Sequence, residues 1–144
     1  MKKKEYLSKE GYAVVGSGFE VYNEQGFGLL EEIYQESMEI ELEKRAIPFS
    51  AKQQLQVFYK DLQLKKKYIP DLFTHNAIMV ELKSVKELLP EHEAQLLNYM
   101  RITHSAVGYL LNFGQPKDLE WKRFILSEFI PDSFDKDQRS ISED

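Results

Sequence analysis

The sequence predicts a single α/β domain with a mixed β-sheet of about five strands flanked by helices. The main reason is the order of its segments: two helical segments precede three strand segments, and a third helix precedes two more strands. The second reason is size and composition, because 144 residues that are 42% hydrophobic are enough to bury one sizeable core. The predicted order of elements is therefore α-α-β-β-β-α-β-β.

The two predicted helices come first in the chain. A helix is predicted over residues 11–24, and Gly26 and Gly28 then mark a turn. A second helix is predicted over residues 29–45. Pro48 follows it and begins an extended stretch, because proline does not continue a helix.

Three strands are then predicted, over residues 50–59, 62–73 and 77–84. They form an antiparallel meander whose first turn is Lys60-Asp61. A third helix is predicted over residues 90–102, because proline is favoured at an early helical position.

Two further strands, over residues 105–113 and 119–127, complete the predicted sheet, with a Gly-Gln-Pro turn between them. The domain is thus expected to span residues 1–130. The acidic segment 131–144 is expected to be a disordered tail.

The composition limits the class of protein. The chain has no cysteine, which excludes a disulfide framework and a thiolate metal site and agrees with a cytoplasmic location. Residues 2–4 are lysines followed by polar residues, so they do not form a signal peptide. The apolar run 106–111 is too short to cross a bilayer, and no membrane association is expected.

The charge distribution bears on nucleic-acid binding. The net charge is −5, and the segment 131–144 holds five acids against two bases, which leaves −2 on the rest of the chain. Residues 65–67 are consecutive lysines and make the only dense basic cluster in the predicted fold. This balance is a point against tight, non-specific binding to DNA.

One pair of predicted strands carries chemistry as well as a core. Glu81 and Lys83 share one face of the strand 77–84, and Asp71, ten residues before Glu81, comes across from the neighbouring strand 62–73. The other face of the strand 77–84 is apolar: Ile78, Val80 and Leu82. Two carboxylates and an ammonium can therefore meet at one place, where they can hold a hard divalent cation and a water molecule.

The same residues resemble a known family. Pro70-Asp71 with Glu81-x-Lys83 resembles the signature of the PD-(D/E)XK nuclease superfamily, and residues 28–34 (GLLEEIY) resemble the name-giving motif of its GxxExxY branch. The similarity continues through residues 80–85, 92–99 and 110–114. It covers roughly residues 12 to 127, and four motifs in the right order make it specific.

The resemblance implies a metal site and a role for each charged group. Asp71 and Glu81 would be the metal ligands, with help from the backbone carbonyl of Leu82. Lys83 would orient or deprotonate the attacking water and stabilise charge on the phosphate. The expected ion is Mg²⁺, with Mn²⁺ as a substitute.

Glu31 belongs to the GxxExxY motif and is the third candidate acid. On a helical wheel it falls between Met38 and Leu42, so it interrupts the apolar stripe of the second helix. Glu41 does the same, so the wheel alone does not single out Glu31. The resemblance places Glu31 in the acidic cluster, in contact with the metal through a bound water.

The third predicted helix carries supporting candidates. Gln95 and Tyr99 are four residues apart and share one face, as in the supporting motif of RecB-like members of the superfamily. Gln95 would brace the metal ligands or contact phosphate, with Tyr99 behind it. His92 lies on the same side and is either a substrate contact and general acid or an N-terminal-turn residue without a role.

The expected function is a Mg²⁺-dependent nuclease that hydrolyses phosphodiester bonds in nucleic acid, with DNA as the expected substrate. A homodimer or larger assembly is expected, since so small a domain offers little surface to a duplex. Two alternatives stay open. One is a non-catalytic binding module that keeps the nuclease fold, and the other is a hydrolase of a small phosphoester.

Overall fold

The computed structural model of the chain describes residues 2–134. The helices in this range are α1 (Ser8–Gln25), α2 (Glu31–Lys44) and α3 (Pro90–Thr103), with short 3₁₀ segments at Lys2–Glu5 and Ser127–Phe129. The strands are β1 (Phe49–Ala51), β2 (Leu55–Tyr59), β3 (Leu62–Tyr68), β4 (Leu72–Thr74), β5 (Ile78–Lys83), β6 (Val107–Asn112) and β7 (Glu120–Ile125).

Five of the strands in residues 2–134 form one mixed sheet in the order β1-β4-β5-β6-β7. The central pair, β5 and β6, is parallel because α3 connects them, and the other neighbours are antiparallel. The predicted α/β class and the five-stranded mixed sheet are therefore confirmed.

Two of the predicted strands are wrong in their extent. The segment 50–59 divides into β1 and β2, and the segment 62–73 divides into β3 and β4. The breaks have local causes: Lys52 adopts a positive φ of 55°, and Pro70 has no amide hydrogen to donate to a ladder. As a result β2 and β3 leave the main sheet and pair only with each other, as a two-stranded ribbon.

The two faces of β5 bury different parts of the core, as the alternation predicts. Ile78, Val80 and Leu82 pack in the cluster that includes residues of α1 and α2. Met79, on the other face, packs with Leu96 and other residues of α3. Both faces of this strand are covered, so Glu81 and Lys83 can be polar only near its carboxyl end.

That carboxyl end is tied to β6 by one buried side chain. Asn112 ends β6, and its side chain bonds both backbone groups of Val85: Oδ1 accepts from the amide at 2.9 Å, and Nδ2 donates to the carbonyl at 2.9 Å. Gly114 lies against the same residue, where a Cβ would come 2.0 Å from the Val85 oxygen. The chain leaving Lys83 is therefore held in one path.

At the end of the described range, a helical turn packs back on the domain. Phe134 contacts Tyr6 edge-to-face at 5.1 Å between ring centroids, and Ile130 is buried. Most of the predicted tail, residues 135–144, lies outside the described residues. In residues 2–134, none of the helices has the length and apolar character needed to cross a membrane.

Candidate active site

Asp71 lies just before β4 and faces the end of β5. Its Oδ2 accepts a hydrogen bond from the amide of Leu82 at 2.8 Å, and its Oδ1 forms an ion pair of 2.6 Å with Nζ of Lys52. The carboxylate is thus fixed between two strands and partly neutralised. The predicted contribution of Leu82 was its carbonyl, whereas the contact seen here is through its amide.

Glu81 adjoins Asp71, as the hairpin predicted. Its Oε1 accepts from the amide of Asp71 at 3.2 Å and from the phenol of Tyr68 at 2.7 Å. Burial, together with the negative charge of Asp71, raises the pKa of Glu81 to about 7, although the Tyr68 hydrogen bond and the charge of Lys83 act in the opposite direction. Burial and the Glu81 carboxylate in turn raise the pKa of Tyr68, which remains a neutral donor.

The raised pKa of Glu81 predicts a specific pH dependence of stability. The ordinary value is 4.5, so the folded protein holds this proton more tightly than the unfolded chain does. The resulting stability is present below pH 4.5 and is lost as the pH rises through about 7. Urea unfolding in EDTA measures this. Between pH 5 and pH 8 the free energy of unfolding of the wild type should fall by about 1–3 kcal/mol more than that of Glu81→Gln.

The comparison with Glu81→Gln isolates this one group. Burial lowers the pKa of His75, which acts in the opposite direction, but His75 is present in both proteins and cancels in the difference. Parallel pH profiles of the two proteins would show that Glu81 ionises normally.

Glu31 is placed by the start of α2. It is the first residue of that helix and exposed, so it is not part of the buried stripe that the helical wheel indicated. Its Oε2 accepts from the amide of Ser84 at 3.2 Å, directly after Lys83, and the hydroxyl of Ser84 donates to the carbonyl of Leu29 at 2.6 Å. Glu31 therefore reaches the end of β5 from a helix N-terminus, where a negative charge is favourable.

The rest of the GLLEEIY segment explains why Glu31 is held there. Tyr34 is fully buried. Its phenol donates a hydrogen bond to the carbonyl of Gly26 at 2.7 Å and accepts one from the amide of Leu29 at 3.1 Å. Its ring stacks on Phe113 with centroids 4.3 Å apart. Gly28 has a φ of 79°, which favours glycine. These contacts fix the turn before α2 and so position Glu31 at the start of that helix.

A cleft of about 810 Å³ joins Glu31 and Asp71. Its charged lining consists of Glu31, Glu32, Glu36, Asp71 and Lys52. Four carboxylates against one ammonium make a cleft that favours cations and repels a phosphate until a cation is present.

The other predicted residues meet on the α3 side of the same strand end. Lys83, Gln95 and Tyr99 line one small gap together with Glu81 and Tyr68. Tyr99 stacks on Tyr68 with centroids 3.7 Å apart, and Tyr68 bonds Glu81. Tyr99 therefore supports Glu81 through Tyr68.

His92 lines this gap as well, but its ring is engaged by its own helix. Nδ1 accepts from the amide of Leu89 at 3.0 Å, and the amide of His92 donates to the carbonyl of Leu89 at 2.9 Å. This is the N-terminal-turn alternative: His92 caps α3. Nδ1 is occupied by the cap and is not available to a substrate in this conformation.

Lys52 and Tyr68 are site residues that sequence reasoning missed. Lys52 lies 19 residues before Asp71, in no charged pattern, and reaches it because β1 pairs with β4. The pKa of Lys52 is raised overall. Burial alone would lower it, but the hydrogen bond to Asp71 and the negative charges of Asp71, Glu81 and Glu31 outweigh that effect. Three carboxylates therefore act on one ammonium. Tyr68 ends a strand whose alternation gives no signal of its role.

The ammonium of Lys52 should compete with a metal ion for Asp71. We expect Lys52→Met to raise the affinity for Mg²⁺ and Mn²⁺ by up to about fivefold, because a partly exposed ion pair of this kind is worth about 1 kcal/mol. Calorimetric titration measures this, with the exposed and distant Lys44→Met as the control. Equal or weaker metal binding by Lys52→Met would mean that Lys52 is not a competitor.

The chain matches the family model of the PD-(D/E)XK nuclease superfamily over residues 8–124. The protein belongs to this superfamily. PD-(D/E)XK proteins are generally nucleases and typically use divalent metal ions.

A solved structure shares the fold of this chain. The structure titled "Crystal structure of SSO0001" superposes with a TM-score of 0.54 at 16% identity, covering 96% of this chain and 70% of that chain. This likeness concerns the fold alone. No curated protein sequence matches the chain significantly.

The residues present fit the divalent ion that PD-(D/E)XK proteins typically use. Among residues 2–134 there is no group of three or more acidic, histidine or cysteine side chains positioned to hold a metal ion. Mg²⁺, however, binds through one or two carboxylates and keeps several waters. Asp71 and Glu81 supply that number of hard oxygen ligands, and the bound ammonium of Lys52 shows that the cluster stabilises a cation.

Proposed function

We propose that this protein is a metal-dependent nuclease of the GxxExxY branch that hydrolyses phosphodiester bonds in nucleic acid, with DNA as the first substrate to test. The observation that carries the proposal is the meeting of Asp71, Glu81 and Lys83 at one end of β5 in a PD-(D/E)XK chain. A single acid at a strand end is usually solvated and inert. Two adjoining carboxylates with a lysine beside them are not typical of a structural role.

Each residue would have its own task. Asp71 and Glu81 would hold Mg²⁺ or Mn²⁺, with the Leu82 carbonyl beside them and Glu31 acting through a bound water. When bound, the metal would neutralise phosphate charge and make the attacking water more acidic. Lys83, whose charge acts on Glu81, would orient that water or take its proton.

The α3 residues would keep the carboxylates in position. Tyr68 donates to Glu81 and is stacked on Tyr99, so Glu81 cannot rotate without breaking the bond. Gln95 lines the same gap and would brace the water or a phosphate oxygen.

The test is incubation with labelled single- and double-stranded DNA and RNA in Mg²⁺, in Mn²⁺ and in EDTA. Cleavage that requires the metal supports the proposal. If none of these substrates is cleaved although calorimetry shows metal bound at Asp71, a nuclease function is contradicted.

The non-catalytic alternative is favoured by one observation. Lys52 forms an ion pair of 2.6 Å with Asp71 and so occupies one oxygen of this carboxylate, as in a structural charge pair. Such a module would bind nucleic acid or protein equally well when Asp71 and Lys52 are exchanged for an uncharged pair. A nuclease would lose its activity in that double variant.

The small-phosphoester alternative is favoured by the cleft, whose volume of about 810 Å³ falls in the range of small-molecule pockets. Cleavage of a chromogenic phosphodiester but of no polynucleotide would support it.

We also propose that the nuclease works as a homodimer or larger assembly in the cytoplasm, because a domain of this size covers little of a duplex. Sedimentation at tens of micromolar, with and without DNA, tests the assembly. A monomer under both conditions would contradict it.

A further inference from the structure

The ribbon of β2 and β3, residues 55–68, is a basic part of the fold. It carries four lysines and a single acid, Asp61, whereas the whole chain has a net charge of −5. The lysines are Lys60, Lys65, Lys66 and Lys67. A local charge of +3 on an acidic protein marks a surface for a negatively charged partner.

The three consecutive lysines are presented outward. Lys65 and Lys66 are exposed and Lys67 is partly so. The pairing of Gln56 with Lys67 is followed by that of Phe58 with Gln63, so residues 64–66 bulge out of the ladder opposite Val57. A bulge redirects side chains and disfavours pairing with another strand. Within residues 2–134, no carboxylate forms an ion pair with any of these three lysines.

The ribbon leaves directly from the candidate active site. Tyr68, the last residue of β3, bonds Glu81 at 2.7 Å and follows Lys67 in the chain. At about 3.3 Å per extended residue, the three lysines lie within about 10 Å of Tyr68 along the backbone. Along the axis of a duplex the phosphates of one strand recur about every 3.4 Å, so the three lysines can reach neighbouring phosphates of one strand.

The tip of the ribbon adds an aromatic surface. Tyr59 is 62% exposed, and Nζ of Lys60 lies 5.6 Å from the centroid of its ring. A flat ring beside positive charge is the combination that proteins use to bind unpaired bases next to a phosphate backbone.

We propose that the β2–β3 ribbon is a phosphate-binding arm that holds a nucleic-acid strand across the active site, through Lys65, Lys66 and Lys67. The choice of nucleic acid as the partner rests on the proposed nuclease function. The contact is to the backbone and is independent of sequence, because ammonium groups on flexible stems read charge rather than bases. It also supplies the positive surface that the acidic cleft lacks.

The test is binding of a fluorescent oligonucleotide, single- or double-stranded, by wild type in EDTA at several salt concentrations. The ribbon variant, Lys65→Gln/Lys66→Gln/Lys67→Gln, should bind roughly 10- to 50-fold more weakly at low salt. The plot of log affinity against log salt should become less steep, with a slope smaller in magnitude by about 2 to 3. The triple arginine variant at the same positions should bind like wild type.

The matched control removes the same charge elsewhere. Lys4, Lys9 and Lys44 are exposed, and Lys44 is at the far end of α2 from Glu31, about 20 Å along the helix. Their triple glutamine variant should bind within about twofold of wild type. Equal losses in the two triple variants would overturn the proposal, since the effect would then follow net charge. Wild-type binding by the ribbon variant, or no binding by wild type, would also overturn it.

The two proposals fail separately in this design. Binding that depends on the ribbon, with no cleavage in metal, would leave the arm intact and contradict the nuclease. If the ribbon variant cleaves with the KM and rate of the wild type, the nuclease proposal stands and the proposal of a phosphate-binding arm is contradicted.

Discussion

Asp71→Asn is expected to lower metal-dependent cleavage by roughly a thousandfold or more. The carboxylate lies between the Lys52 ammonium and the Leu82 amide, adjoins Glu81, and is the member of that acidic pair that lines the cleft. An amide of the same shape keeps a hydrogen bond to Leu82 but supplies no charge to a metal ion, and loss of several kcal/mol of charge stabilisation amounts to about three powers of ten in rate. Initial rates on the best substrate of the screen measure this.

The variant should stay folded, because the Lys52 pair is partly exposed and worth only about 1 kcal/mol. Thermal unfolding checks this, and Glu43→Gln, an exposed acid near the far end of α2, serves as the control with normal rates expected. Calorimetry should show weaker metal binding by Asp71→Asn. Activity within tenfold of wild type would remove Asp71 from the catalytic site.

Asn112→Ala is expected to lower the free energy of unfolding by about 3 to 5 kcal/mol. The side chain is fully buried, and its Oδ1 also accepts from the Gly114 amide at 3.0 Å while its Nδ2 donates to Glu120 at 2.8 Å. Together with the two bonds to Val85, the substitution removes four hydrogen bonds, to groups of three residues. A buried group left without a partner costs about 1–3 kcal/mol, and the removed volume adds a cavity term.

Urea unfolding of the two proteins at one pH gives this difference. Asn98→Ala is the matched control, since Asn98 is exposed on α3 and bonds only Arg101 in residues 2–134, so a change below about 0.5 kcal/mol is expected. A loss under 1 kcal/mol for Asn112→Ala would mean that water replaces the side chain. Because the path of the chain after Lys83 depends on Asn112, the variant should also lose activity at temperatures where it is still folded.

Most of the site follows from short-range patterns in the chain. Asp71 and Glu81 adjoin because a hairpin places them opposite each other, and the alternation of β5 sends Met79 to one core and Ile78 to the other. Such relations depend on the two-residue period of a strand, which any folded context preserves. The predicted helices agree with α1, α2 and α3 to within about three residues, because helical periodicity and flanking glycine and proline residues are also local signals.

Other features depended on groups distant in sequence. A helical wheel put Glu31 in the buried stripe, but burial depends on where the helix begins and what covers it, and α2 begins at Glu31 itself. The two long predicted strands are interrupted at Lys52 and Pro70, and their parts β2 and β3 form the separate basic ribbon.

The sequence by itself therefore determined the fold class, the superfamily signature and the neighbouring carboxylates, since these rest on periodicity and on residues close in the chain. Tertiary structure decided the rest of the site. Pairing of β1 with β4 brings Lys52 to Asp71, and packing of α3 brings Tyr99 to Tyr68 and so supports Glu81. These contacts join residues 19 and 31 positions apart, and no local pattern encodes them, because they exist only after the sheet and the helix have packed.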